Sequence, residues 1–261
     1  MWFANKRTGP PILLSIVLAF AVSACSTRFD APSSLSSSDR LIAGERRLLA
    51  VEEYADGAAL AGMGRLYLPP VTLATGADID PEIGPARLND VRRQLSQDLC
   101  RRLARAGFDV RPLPEPGETG LDGEVRTAIN GIRRNNVATT GLSRLIGVAV
   151  PGPLNPRVPL GIGALGVEAE ILDGTGRQVA AIRWASQNHL ASGGGVTTIL
   201  DGPDAFSDLA DVMDLSGVFA DALGDLVEEA RAGTEPVMAE TPRGTCDAYR
   251  DLITPGTPDG N

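Results

Sequence analysis

Val167-Glu168-Ala169-Glu170-Ile171 followed by Asp173-Gly174-Thr175-Gly176 and then Val179 to Trp184 is the stretch on which the fold turns. Val167, Ala169 and Ile171 alternate with Glu168 and Glu170, the period of a strand with one apolar and one polar face. Asp173-Gly174-Thr175-Gly176 reads as a tight turn, because glycine takes positive φ at no steric cost. Residues 179–184 then return as the second arm of a hairpin.

Working outward, Leu121, Gly123, Val125, Thr127 and Ile129 share one face of a preceding strand, with Glu124 and Arg126 on the other. Phe108-Asp109-Val110-Arg111 alternates and predicts another. Arg65-Leu66-Tyr67-Leu68 predicts a first strand, ended by Pro69-Pro70, which cannot donate to a ladder. Leu88, Val91, Leu95, Leu99 and Leu103 recur at three and four residues and predict a helix over about 85–106. Arginines fill its opposite face, and Gly107 supplies its stop. A last helix is expected over 203–232, broken near Ser216-Gly217, with Val218, Ala222, Leu226 and Ala230 facing one way. Leu41, Ile42, Leu48, Leu49 and Val51 are spaced loosely for a short helix in 41–55. The sum is an α/β single domain: a mixed sheet of four to five strands packed with amphipathic helices, in the order β-α-β-β-β-α.

The N-terminus reads as a targeting segment. Lys6 and Arg7 precede the apolar run Pro11 to Ala21, which is shorter than the roughly 20 residues a transmembrane helix needs. Val22-Ser23-Ala24-Cys25 follows, with small residues before a cysteine, the order of a bacterial lipobox. Cleavage between Ala24 and Cys25 would leave a thiol able to form a thioether to diacylglycerol and an amine free for a further acyl chain. Two or more chains give stable anchoring, each buried methylene contributing about 0.8 kcal/mol. Ser26, not aspartate, follows the lipid site, and by resemblance to enterobacterial sorting rules that implies the outer membrane, with the domain facing the periplasm. The expected organisation is a signal peptide over 1–24, a lipid anchor and Ser-rich tether over 25–55, the domain over 56–233 and a flexible Pro/Gly-rich tail over 234–261.

The lipobox, Pro69-Pro70-Val71 ahead of an amphipathic helix, and Val167-Glu168-Ala169-Glu170 before Asp173-Gly174-Thr175-Gly176 together resemble an uncharacterised bacterial lipoprotein family, domain of unknown function 3313. The resemblance covers about residues 40–232 and implies a cell-envelope lipoprotein with no assigned activity.

Charge narrows the function classes. The formal net charge is −9, and removing residues 1–24 takes away two cations and no acid, leaving −11. Such a surface repels phosphate backbones, so nucleic acid is not an expected partner. Cys100 and Cys246 remain in the mature chain; in an oxidising compartment they can bridge, or they can stay as one half-buried and one exposed thiol.

The catalytic signals are weak. Gly161-Ile162-Gly163-Ala164-Leu165-Gly166 matches a dinucleotide glycine pattern but precedes a strand, where the pattern needs a helix. Gly141-Leu142-Ser143-Arg144-Leu145 lacks the second glycine of a nucleophile elbow, and its one possible imidazole partner is His189. Asp204, Asp208, Asp211 and Asp214 form an acidic helical stripe, read as a solvated face. With one histidine and scattered cysteines, no metal site and no cofactor are expected. The apolar stretch 137–166, with Leu142, Leu145, Ile146 and Val150, reads either as a docking surface for an envelope protein or acyl-bearing ligand, or as a cover over the sheet. The expected function is a non-enzymatic accessory or protein-interaction module. The alternatives are a lipid- or small-ligand-binding lipoprotein using that stretch, and a hydrolase with an unrecognised site.

Overall fold

The computed structural model describes residues 33–44, 50–113, 120–134, 163–187, 209–233 and 235–253. The chain runs β1 (Ile42–Ala43), β2 (Ala50–Ala55), α1 (Gly57–Ala61), β3 (Arg65–Tyr67), β4 (Thr72–Ile79), α2 (Pro85–Arg105) and β5 (Asp109–Arg111). It continues through β6 (Gly123–Arg133), β7 (Ala164–Asp173), β8 (Gln178–Gln187) and α3 (Ala210–Arg231), then a 3-10 turn (Thr245–Ala248) and α4 (Tyr249–Leu252). One mixed eight-stranded sheet has the order β1-β2-β8-β7-β6-β3-β5, with β4 also paired to β6. The α/β single domain stands as expected, with more strands than the four to five read from the sequence.

The extra strands have physical reasons. β6 is eleven residues long and takes two parallel partners end to end, β3 at Gly123–Glu124 and β4 from Ala128 to Ile132. β4 carries Gly76 at φ 74 and a register shift between Leu73 and Asp78, so its own alternation is broken and gave no signal. Residues 50–55 are strand, not helix, because β2 pairs antiparallel with β8 along its whole length, from Ala50↔Ala185 to Ala55↔Ala180. Tertiary pairing overrides weak local preference there.

The hairpin is as its sequence dictates. β7 and β8 pair antiparallel, with Gly176 at φ 82 closing the turn. Asp173 accepts from Thr175 N at 2.9 Å, Thr175 Oγ1 at 2.6 Å and Arg177 N at 3.0 Å. The Thr175 hydroxyl foremost, with these amides and the Arg177 side chain, holds the Asp173 carboxyl down at about 2.

One sheet face is covered by helices. Val91, Leu95, Leu99 and Leu103 of α2 and Val212, Leu215, Phe219, Leu223 and Val227 of α3 are buried against Val125, Ile129, Val167, Ala169, Ile171, Ile182 and Trp184. Trp184 and Phe219 meet edge to face at 5.8 Å. Pro85 opens α2, where a missing N–H costs nothing, and Gly107 at φ 88 ends it.

Two expectations for the helices are corrected. α3 passes unbroken through Ser216-Gly217; Ser216 is buried, and its hydroxyl is satisfied within the helix by Val212 O at 3.2 Å. Its core stripe is shifted from the expected one, leaving Val218 45% exposed. Nor do all arginines of α2 face water. Arg92 is buried with Nε on Val71 O at 2.7 Å, and Arg102 is buried between the helices, reaching Asp225 and Glu228 at 2.8 Å. A guanidinium can enter a helix interface when carbonyls and carboxylates fill its donor fork.

Residues 235–253, expected within a flexible tail, are held on the domain. Val237 N bonds to Ala61 O and Ala239 N to Gly107 O, each at 2.8 Å. Arg231 stacks over Phe108 at 4.3 Å and donates to Ala106 O and Val237 O. Thr241 Oγ1 accepts from Val110 N at the sheet edge. Cys100 on α2 and Cys246 form a disulfide with a Cα–Cα distance of 5.6 Å. Tyr249, fully buried, donates its hydroxyl to Leu68 O at 2.5 Å. A segment rich in proline and glycine looks solvent-bound from composition, but a few anchors suffice to fold it onto the domain.

Candidate functional site

The second face of the sheet is polar. Alternation in β7 sends Glu168 and Glu170 away from the helices, and the antiparallel register sets Glu168 beside Arg183 of β8 and Glu170 beside Arg126 of β6. Tyr54 of β2 and Gln178 of β8 lie on the same side, joined through Arg40. An open polar face would leave these carboxylates in water. Yet Glu168 is 0% exposed and Glu170 is 2% exposed.

The cover is a strap, residues 33–40. Ser34 N donates to Glu168 Oε2 at 2.7 Å, with the Ser34 hydroxyl at 3.0 Å and the Ser33 hydroxyl at 3.2 Å. Two residues on, Ser36 N donates to Glu170 Oε2 at 2.8 Å and the Ser36 hydroxyl at 2.6 Å. The same two-residue step thus separates the carboxylates on the strand and their donors on the strap. Gln178 Nε2 bridges Glu170 Oε2 and Ser37 O, each at 2.9 Å. Arg40 closes the strap, with Nη1 on Tyr54 Oη at 2.7 Å, Nη2 on Gln178 O at 2.8 Å and its guanidinium 4.2 Å above the Tyr54 ring.

The electrostatics follow from burial. An ionised carboxylate out of water is tolerated only when its lone pairs meet donors or cations. Glu168 Oε2 has the serine donors, and Arg183 Nε stands 2.8 Å from Oε1 without the alignment of a hydrogen bond. Glu170 has Ser36 and Gln178. Arg126 lies 2.9 Å from Glu124, and that hydrogen bond, with the charge of Glu170 nearby, raises its pKa above the ordinary arginine value.

Beside the strap is a cavity of about 260 Å³ bounded by Leu35, Pro70, Thr72, Glu124, Arg126 and Glu170. It is smaller than the roughly 300–1,000 Å³ of pockets for drug-sized ligands, so it admits only a small molecule. Its polar lining offers one guanidinium and two carboxylates. Among the described residues no group of three histidine, cysteine or acidic side chains could hold a metal ion, and no helix is long and apolar enough to cross a membrane.

The sequence-predicted residues fall differently. Cys100 and Cys246 are brought together. Ala24 and Cys25, the stretch with Leu142, Ser143, Leu145, Ile146 and Val150, His189, Asp204 and Asp208 all lie outside the described residues. Asp211 and Asp214 lie on α3, and Asp214 is exposed. The glycine pattern runs from Ala164 into β7, so no helix follows it to offer its amides to a pyrophosphate. Glu168 and Glu170 escaped sequence reasoning as site residues. Alternation placed them on the polar face of a strand, and the residues that cover it lie 134 positions away. The serines read as an unattached tether for the same reason; from Ser33 onward that reading is corrected.

Two solved structures superpose weakly on the chain. The PelC dodecamer from Paraburkholderia phytofirmans gives a TM-score of 0.38 at 13% identity, covering 69% of this chain and 97% of that one. A leucine-to-methionine variant of that dodecamer in another space group gives 0.30 at 17% identity, covering 65% and 97%. Superposition at this level carries no inference about function. No curated protein matches the sequence. The model of the DUF3313 family, described as a protein of unknown function, matches residues 32–214, from just before the strap into α3, and the chain belongs to that family.

Proposed function

We propose that this chain is a lipid-anchored lipoprotein of the bacterial cell envelope, held on the outer membrane through Cys25, whose periplasmic domain is a non-enzymatic accessory or protein-interaction module. The observation that carries the reading is the ordered signal of Lys6-Arg7, the apolar run to Ala21, and Val22-Ser23-Ala24-Cys25. The Cys100–Cys246 bridge supports it, because structural disulfides persist in oxidising compartments and are rare where thiols are kept reduced. The acidic balance fits a protein partner better than nucleic acid.

Intact-protein mass spectrometry on protein extracted from membranes tests the anchor. The expected species begins at Cys25 and carries acyl mass, and Cys25→Ser protein is expected in the soluble periplasmic fraction. A mature form that begins after Cys25, or that lacks acyl mass, removes the proposal. Crosslinking in living cells tests the accessory role: a reproducible protein partner lost on mutating Leu145 or Val150 supports it.

The cavity favours a second reading, a small-ligand-binding lipoprotein. Its size suits a small molecule, with Leu35, Pro69, Pro70 and Ala128 offering apolar contact beside the Arg126–Glu124 pair. A metabolite that co-purifies with the membrane-extracted protein and is lost in Arg126→Ala, with no protein partner crosslinked, would favour it over the accessory role.

A further inference from the structure

We propose that the Glu168/Glu170 pair is a built receptor for the chain's own membrane-proximal segment, and that it sets how far the domain can stand from the bilayer. The inference rests on the lipid anchor at Cys25 proposed above. Two fully or nearly buried carboxylates in the centre of a sheet are costly unless paired. Here the donors to Glu168 Oε2 come from the strap, and Glu170 takes an amide and a hydroxyl from it as well. Both glutamates accept a backbone N–H and a serine hydroxyl from the same residue, so the strap is recognised by main chain and side chain together.

The consequence is a matter of reach. From Cys25 to Ser33 there are eight residue steps, which span at most about 26–29 Å when fully extended. If the carboxylates let go and the single Gln178 Nε2–Ser37 O contact goes with them, the first fixed point becomes Arg40, held by Tyr54 and Gln178. The limit then rises to fifteen steps, about 50–54 Å. The clamp therefore nearly halves the height available to the domain, and it keeps the polar sheet face on the side from which the leash arrives. A flexible tether extending to residue 55 would impose no such limit.

Hydrogen exchange on the full acylated protein in detergent or phosphatidylethanolamine vesicles tests this, read alongside its intact mass. The Ser34 and Ser36 amides are expected to exchange at least ten-fold more slowly than unstructured serine amides. In Glu168→Gln/Glu170→Gln protein that protection is expected to fall ten-fold or more while the amides of β7 and β8 stay protected. Should that variant fail to fold, Ser36→Pro acts from the strap side alone: it deletes both donors of Ser36 to Glu170, the N–H and the hydroxyl, and changes no residue of the sheet. Faster exchange at Ser34 in that variant is then the expected result. Fast exchange at both serines in the acylated wild-type protein would overturn the clamp. Slow exchange without acyl mass would instead remove the anchor, and the leash with it, so the two failures are told apart.

Discussion

Two segments outside the central fold lie across this domain, and they are held by opposite means. The N-terminal strap, 33–40, is fixed by hydrogen bonds to buried carboxylates, and its own Ser33, Ser34 and Ser36 stay exposed. The C-terminal segment, 235–253, is fixed by a covalent bridge to α2, by the buried Tyr249 ring and by Arg231, whose burial lowers its pKa below the usual arginine range. The C-terminal segment adds apolar surface to the core, since Tyr249 and Ile253 are both buried. The strap adds almost none. Burial of apolar area is what couples a segment to global unfolding. The C-terminal segment should therefore melt with the domain, whereas the strap can leave a domain that stays folded.

The largest test of that contrast removes the bridge. Cys100→Ser/Cys246→Ser protein should lose about 2–5 kcal/mol of stability, because a crosslink closing a long loop restrains the unfolded chain most. Urea denaturation followed by Trp184 fluorescence measures it. An unchanged midpoint would place the C-terminal segment outside the cooperative unit.

A smaller effect is expected of Tyr249→Phe, which deletes the hydroxyl donated to Leu68 O at a cost of about 0.5–1.5 kcal/mol. Its pH dependence sharpens the point. Burial raises the Tyr249 pKa above its ordinary value of 10.0, so the folded state favours the neutral phenol. That stability is complete below pH 10 and is lost as pH rises beyond it. Urea midpoints taken upward from neutral pH should fall less steeply above that point in Tyr249→Phe than in the wild type. Identical slopes would contradict the assignment.

The smallest global effect belongs to the strap. Ser36→Ala should lower the unfolding free energy from urea denaturation by no more than about 0.5 kcal/mol, as for most exposed positions. Exchange at the Ser34 amide should nevertheless rise several-fold. A loss as large as that of the bridge variant would make the strap part of the core unit and erase the comparison.

What the sequence made legible is what short-range physics controls. The β7–β8 hairpin was readable because Gly176 and the Asp173 side chain define the turn within five residues. α2 was readable because its leucines repeat at helical spacing between Pro85 and Gly107. The acidic charge and the succession of basic, apolar and small residues ending at Cys25 are also properties of composition and sequence alone. β2 and β4 were not readable, because each is a strand only by virtue of a partner far along the chain.

The same limit hid the strap and left the Cys100–Cys246 bridge as one of two alternatives. Alternation in β7 told which residues leave the helix-covered face, but only tertiary structure decided that Glu168 and Glu170 would be buried there and not solvated. Periodicity is local and is written in the residues themselves. Burial of a polar group depends on what the rest of the chain brings to it, here serines 134 positions upstream and a cysteine 146 positions downstream of Cys100. No pattern within a strand or a helix encodes that meeting.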